Sequence, residues 1–434
     1  MNILPIVLAS LLASSPTPPP LPLSHPDAYR QYLAELEGAR HDGLWTDIRQ
    51  VQQPLPPVHQ NAAIEYTEYA ALRKSNAVKA DEDLIKEFLS TKPHANAEIA
   101  NIRAVLKREH ALLLLAHAAA MKPSCVFQRK WTQGDPTSVL FPELISIRAV
   151  ARLITAESIL MAHDGKLQQA VTNQRLCFRL AKHASSEPIL ISYLVAVASQ
   201  AIALHGMDRI LALSTQHPQI AASIKIAIHS DYQTISPSYA LQGETAIFAR
   251  LMEYTQHMGP VAFANTGRKS GEALRTPKPK ALFDEWLDVN GRSTIHQLRE
   301  LSSNAKLPGK SIYEAIDNQL ARLKAYPADD YTLARALSPE FTTSIQHRYL
   351  MTATAQSTVI AADVLIWSAQ HHRFPSTLAQ TTDRVPIDPY SGKPFQYASS
   401  SNGFVIWSLG QSGQYNPQQA GLMKDTTAIV FRYP

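Results

Sequence analysis

Five features of this 434-residue chain bring together residue types that do chemistry in proteins, and their spacing decides what each can do. Gly309-Lys310-Ser311 is the end of a phosphate-binding loop, but such a loop needs a Gly five positions before Gly309, where Asn304 stands, and a strand leading in. The string reads as a loop opening a helix. Gly410-Gln411-Ser412-Gly413 is one residue short of a nucleophile elbow and lacks the strand–turn–helix order that exposes such a serine, so it reads as a turn. His371 and His372 are adjacent, and neighbours on a helix point apart, so they cannot easily share one metal ion. No His-Glu-x-x-His string supplies a catalytic zinc site, and a histidine pair suits the negative end of a helix. Glu244 and Glu253 are nine residues apart on one expected helix. That is about 13 Å along the axis, too far for a carboxylate dyad, and both read as solvated helix charges. Cys125 and Cys177 have no C-x-x-C spacing, which leaves zinc-ribbon and thioredoxin-like chemistry without support; they read as two small buried thiols, with one disulfide between them as the alternative. The sequence therefore assigns no catalytic, cofactor-binding or metal-ligating residue.

The elements around these strings are mostly helical. Hydrophobic residues make up 45 % of the chain and charged residues 18 %, enough apolar surface to order most of it. Glycine is scarce, at 16 residues, which favours helices. A net charge of +5 spread over this length does not make a nucleic-acid-binding face. The densest basic stretch, Arg268, Lys269, Arg275, Lys278 and Lys280, is interrupted by Gly and Pro and has no interleaved aromatics. It reads as a solvated loop.

At the N-terminus, Asn2–Ala13 is an apolar run of signal-peptide length, followed by the small residues Ser14 and Ser15. Export with removal of the first 13 to 15 residues, within a signal peptide over 1–15, is expected, and an uncleaved N-terminal anchor is the alternative. Residues 16–26 hold six prolines and read as an extended linker. Residues 27–339 read as a helical body. Its expected helices are Asp27–Val51, Ala62–Leu72, Asp81–Leu89, Asn96–Met121, a hairpin over 144–184, Pro188–Leu213, Pro218–Ile228, Tyr239–His257, Lys280–Val289 and Ser311–Ala325. Pro188–Met207 carries no charge over twenty positions. It reads as a buried core helix, with membrane contact through residues 188–207 as the alternative. A boundary is expected near Pro339–Phe341. Residues 340–434 then give a helix to His371 and short alternating runs at Phe395–Tyr397, Phe404–Trp407 and Ala428–Phe431, the strands of a small antiparallel sheet.

Two resemblances attach to these segments. Ala151–His183 resembles a tetratricopeptide-type repeat, with Gly165 and Ala170 at the small positions where the paired helices pack closely. Gln174, Cys177 and Glu157 depart from that pattern. The block from Leu144 to Leu213 also resembles a group of uncharacterised exported bacterial helical proteins, which brings no activity with it. Ala361–Gly413 is similar to the globular unit of the type II secretion major pseudopilin. The resemblance rests on Arg373-Phe374-Pro375, Leu378, Asp388-Pro389-Tyr390, Ser391-Gly392-Lys393-Pro394 and Ser408-Leu409-Gly410. It implies a helix feeding a small sheet. Pseudopilins carry calcium-binding acids after the Ser-Leu-Gly turn, whereas this chain has Gln411, Ser412, Gln414 and Asn416 there, so a calcium site is not expected.

The expectation is a mainly α protein, a repeat-like helical-hairpin bundle with a small C-terminal α+β unit. Its expected role is a non-catalytic scaffold that is periplasmic or secreted and binds a protein partner of the cell envelope. An enzyme with a dispersed site and a membrane-inserted component of a secretion-type assembly are the alternatives.

Overall fold

The fold is taken from a computed structural model, which describes residues 27–74, 76–90, 95–266, 280–307, 309–325, 332–410, 415 and 430–433. The expected signal peptide, the Pro-rich linker, most of the basic stretch at 268–280 and the neutral loop residues Gln411, Ser412, Gln414 and Asn416 lie outside the described residues.

The body begins with α1 (Ala28–His41), α2 (Ala63–Leu72) and α3 (Asn76–Ser90). The apolar stripe from Asn96 to Met121 is split at Glu109 into α4 (Asn96–Arg108) and α5 (His110–Met121). Buried residues continue on both sides of the break, so hydrophobic spacing alone runs through it. The connection to the next helix, residues 122–141, is held by Arg129. Its guanidinium donates to Glu187 (Nε–Oε1 2.8 Å) and Glu143 (Nη1–Oε2 2.9 Å) and lies over the rings of Phe127 and Phe141.

The centre of the molecule is α6 (Pro142–His163), α7 (Leu167–Ala184) and α8 (Leu190–Leu213). The turn between α6 and α7 is a Schellman cap: the Gly165 N–H donates to Ala162 O and the Lys166 N–H to Met161 O. Gly165 has φ +75°, a conformation that costs any L side chain, and no atom lies within 4 Å of where its Cβ would be. Gly165 thus serves backbone conformation rather than the close helix contact that the repeat pattern suggests. Ala170 is fully buried. The close approach lies elsewhere, at Gly206 of α8, where the Gln174 amide fills the space a Cβ would take. Gln174 donates to Thr155 Oγ1 (3.1 Å), Ile202 O (3.3 Å) and Ala203 O (3.0 Å), joining α6, α7 and α8 through one buried side chain. α8 is sheltered nearly all round, with Ser192, Ser199, Gln200 and Arg209 buried beside its apolar residues.

Around this centre run α9 (Pro218–Asp231), α10 (Ser238–Thr266), α11 (Lys280–Asn304), α12 (Gly309–Ala325) and α13 (Thr332–His371). α10 breaks at Gly259 (φ 77°, ψ 171°) before Pro260 and resumes helix beyond the expected end at His257. α11 runs fifteen residues past the expected end at Val289, with Ile295, Leu298 and Leu301 buried beyond it, and at Gly291 the Tyr32 ring of α1 approaches closely. α13 is a single 40-residue helix packed against α8, α9, α11 and α12. Residues 339–341, where the sequence texture changes, fall inside it. Asp363 of α13 pairs with Lys225 of α9 (2.6 Å) and Thr358 donates to Asp208 of α8 (2.7 Å).

β1 (Gln396–Ser399), β2 (Phe404–Trp407) and β3 (Val430–Tyr433) form an antiparallel sheet in the order β1-β2-β3, which packs on α13. The protein is mainly α with a small C-terminal α+β unit.

Candidate functional site

The sequence strings with chemical residue types do not converge. His371 donates Nδ1–H to Trp367 O (2.9 Å) and stacks on the Trp367 ring, while His372 turns away in a positive-φ conformation. Gly410 donates to Ser408 Oγ (2.9 Å), and residues 411–414 lie outside the described residues. Gly309-Lys310-Ser311 forms the first turn of α12. Cys125 and Cys177 are free, buried thiols. Cys177 sits between Thr155 Oγ1 and Ala151 O at 3.6 Å each, and burial pushes its thiol up to about 12. Among the described residues no group of three or more His, Cys, Asp or Glu could hold a metal ion.

Two buried polar groups, His183 and Glu244, lie between helices of the body. His183 accepts from or donates to Tyr66 Oη (2.8 Å) through Nδ1 and meets Lys122 O (2.9 Å) through Nε2. Burial pulls it down to about 4, so it is neutral, and with Nε2–H given to the carbonyl its Nδ1 accepts from the tyrosine. The pair ties α2, α5 and α7 together. Glu244, read from the sequence as a solvated charge, is buried. Gly243 beside it lies so close to Pro188 that a Cβ would fall 1.7 Å from the Pro188 carbonyl oxygen. This contact sets Glu244 under the first turn of α8, where its Oε1 accepts from Leu190 N (2.6 Å). Burial pushes its carboxyl up to about 7 against that hydrogen bond. Glu253, nine residues on, is exposed and pairs with Arg250 (3.3 Å).

One concavity among the described residues is a cleft of about 800 Å3 between the segment after α1 and α10. Its geometry begins at a second Schellman cap. Gly43 (φ +83°) donates to Arg40 O and Leu44 to Ala39 O, which turns the chain off α1. Trp45 then meets Tyr239 edge-on (5.6 Å, 84°), and Gln242 donates to Gly43 O (3.0 Å), fixing the segment on α10. Asp47 caps the short 3-10 turn Ile48–Gln50. Three guanidiniums line the cleft: Arg40, held by Glu37 and Thr46 Oγ1; Arg49, held by Asp47; and Arg250, held by Glu253. Arg40 and Arg49 are more than half exposed. Exposed ion pairs contribute about 0–1 kcal/mol each, so these groups can exchange their partners for an incoming carboxylate at little cost.

A second pocket, about 340 Å3, lies between α1 and α11. Glu35 faces it, accepting from Arg299 (2.6 Å) and meeting His296 Nδ1 (3.2 Å). The His296 bond, followed by burial acting the other way and then the Arg299 bond, leaves the Glu35 carboxyl below its usual range. Ser293, on the same wall, donates its hydroxyl to Asn290 O (3.1 Å), so it is engaged within its own helix. Arg299 also holds Asp42 (2.7 Å), and the whole set works as a clamp of α1 onto α11. Of the residues lining these two pockets, sequence reasoning singled out Glu253 alone, as a solvated helix charge; the others show only as charge on amphipathic faces.

The C-terminal unit has a polar centre at Asp388, which is fully buried. Its Oδ1 accepts from Tyr390 N (3.1 Å) and Ser408 Oγ (2.9 Å), and its Oδ2 from Ser391 N (3.3 Å), Ser391 Oγ (2.7 Å) and Leu409 N (3.2 Å). One carboxylate thus brings Asp388-Pro389-Tyr390-Ser391 to Ser408-Leu409-Gly410, two strings separated by sixteen residues of turn and hairpin.

No protein-family model, curated protein or solved structure matches this chain.

Proposed function

We propose that this protein is a non-catalytic scaffold of the cell envelope, exported and then periplasmic or secreted, whose cleft between α10 and the segment that follows α1 receives a carboxylate-bearing segment of a partner protein. The observation that carries the reading is the cleft itself. Arg40, Arg49 and Arg250 stand around Trp45 in an open concavity, each held by an ion pair weak enough to be traded. Guanidiniums beside an aromatic ring are the residue types enriched where one protein's side chains anchor on another. Export rests on the apolar run Asn2–Ala13. The Asp388 centre supports the resemblance of residues 361–413 to the pseudopilin unit, since it joins two of the strings on which that resemblance stands.

The test is crosslinking in intact envelopes with a photoreactive residue at Thr46, alongside an Arg49→Glu, Arg250→Glu variant and an Arg322→Glu control away from the cleft. A discrete adduct kept in the control and lost in the double variant supports the cleft. Equal adducts in both would refute it.

A further inference from the structure

α6 carries two arginines one turn apart, Arg148 and Arg152, where it passes the α2–α3 corner. Arg148 is exposed and Arg152 half-buried. Among the described residues neither has a hydrogen-bond or close ion-pair partner. Arg73, at the end of α2, and Glu82 of α3 are the other charges acting on Arg152. Both Glu82 oxygens are taken by Arg73, at 2.6 Å from Nε and 2.5 Å from Nη2. That pair is self-contained, and it leaves Arg148 and Arg152 as an excess of two positive charges.

Several sheltered guanidiniums elsewhere are held by carboxylates, Arg73 by Glu82, Arg129 by Glu143 and Glu187, and Arg299 by Glu35 and Asp42, while Arg348 donates to Ala305 O and Tyr349 Oη. Like charges four residues apart on a helix repel. Burial, then Arg148, pull the Arg152 guanidinium below its usual value, with Glu82 opposing and Arg73 adding to the effect. A group desolvated without a counter-charge costs stability unless something supplies one.

We propose that Arg148 and Arg152 form a binding site for a phosphate dianion, either free or as the monoester headgroup of a lipid. Two guanidinium forks one helical turn apart present planar donor pairs to a tetrahedral oxyanion. A dianion matches the excess of two charges where a single carboxylate would leave half of it. The site is separate from the charged cleft and does not depend on it.

The experiment is a thermal melt of the full chain titrated with inorganic phosphate against sodium chloride at matched ionic strength, repeated for Arg152→Gln and Arg148→Gln. A second arm is flotation with phosphatidylcholine vesicles with and without phosphatidic acid. The wild type should melt higher in phosphate or float with phosphatidic acid. Each variant should bind about tenfold or more weakly, the loss expected for one charge-assisted contact. Without phosphate, Arg152→Gln should melt at the wild-type temperature or above it, because it removes an unmatched charge. Should that variant not fold, the exposed Arg148→Gln carries the comparison. A phosphate response without flotation assigns the free anion, and flotation assigns the headgroup. No wild-type response in either arm, or an undiminished response in the folded variants, overturns the proposal.

Discussion

Replacing Glu244 by Gln should remove a pH dependence that the native fold builds in. The wild-type carboxyl is pushed up to about 7 by burial, against a usual 4.5 in the unfolded chain. Between those values the folded protein binds the proton and the unfolded chain does not. The native state holds more protons there, so its stability is greatest below the unfolded value and falls as pH rises through the folded one. Linkage over this shift gives a loss of about 2.5 kcal/mol from pH 5 to pH 8 from this one group. Gln keeps an oxygen for the Leu190 N–H (2.6 Å in the wild type) and carries no charge to desolvate. Urea denaturation of both proteins at pH 5 and pH 8 measures the difference. The gain of Glu244→Gln over the wild type should be about 2.5 kcal/mol larger at pH 8 than at pH 5. An equal change at both values, or a loss at pH 8, would show that the carboxylate is charged and welcome at the start of α8, and the burial argument would fail.

Other substitutions should act through single contacts. Arg129→Leu leaves Glu143 and Glu187 buried without their cation and should cost about 3–5 kcal/mol, read from the urea midpoint. Asp388→Ala strips five donors of their acceptor; it should lower the melting temperature and expose residues around 391 and 408 to limited proteolysis, while far-ultraviolet circular dichroism keeps the helical signal. Gly243→Ala drives a Cβ into the Pro188 carbonyl and should cost about 3 kcal/mol or more, whereas Gly165→Ala, strained but unobstructed, should cost about 1–2 kcal/mol; chemical denaturation compares the two. A chain ending at Pro339 should fail to give a cooperative melt, because it removes the part of α13 that packs on α9 and α11.

The sequence shows clearly the features that depend on near neighbours. The stripe through Ile147, Val150 and Ile154 and the Asp164-Gly165 turn announce the α6–α7 hairpin, and the alternation at Phe404–Trp407 announces a strand. What it hides depends on residues far along the chain. Asn290-Gly291 looks like a helix end until Tyr32 arrives against it. Glu244 looks like a surface charge because nothing nearby in sequence reveals that Pro188 and Leu190 cover it. Gln174 departs from the repeat pattern for the same reason, since its partners Ile202 and Ala203 lie on the next helix. The charged cleft is legible only as scattered arginines, because Arg49 and Arg250 are two hundred residues apart and meet through the Trp45–Tyr239 contact.

At 1.5 Å per residue the 40 residues of α13 make a rod about 60 Å long. One end carries the sheet and the middle is seated among α8, α9, α11 and α12. The sheet packs directly on α13, so load on the sheet passes into a helix that bends little. A pull or twist on the C-terminal unit arrives at the Asp363–Lys225 and Thr358–Asp208 contacts as leverage rather than being lost in a slack tether. A partner gripping the sheet would therefore orient the entire bundle, cleft included, with the stiffness of a handle.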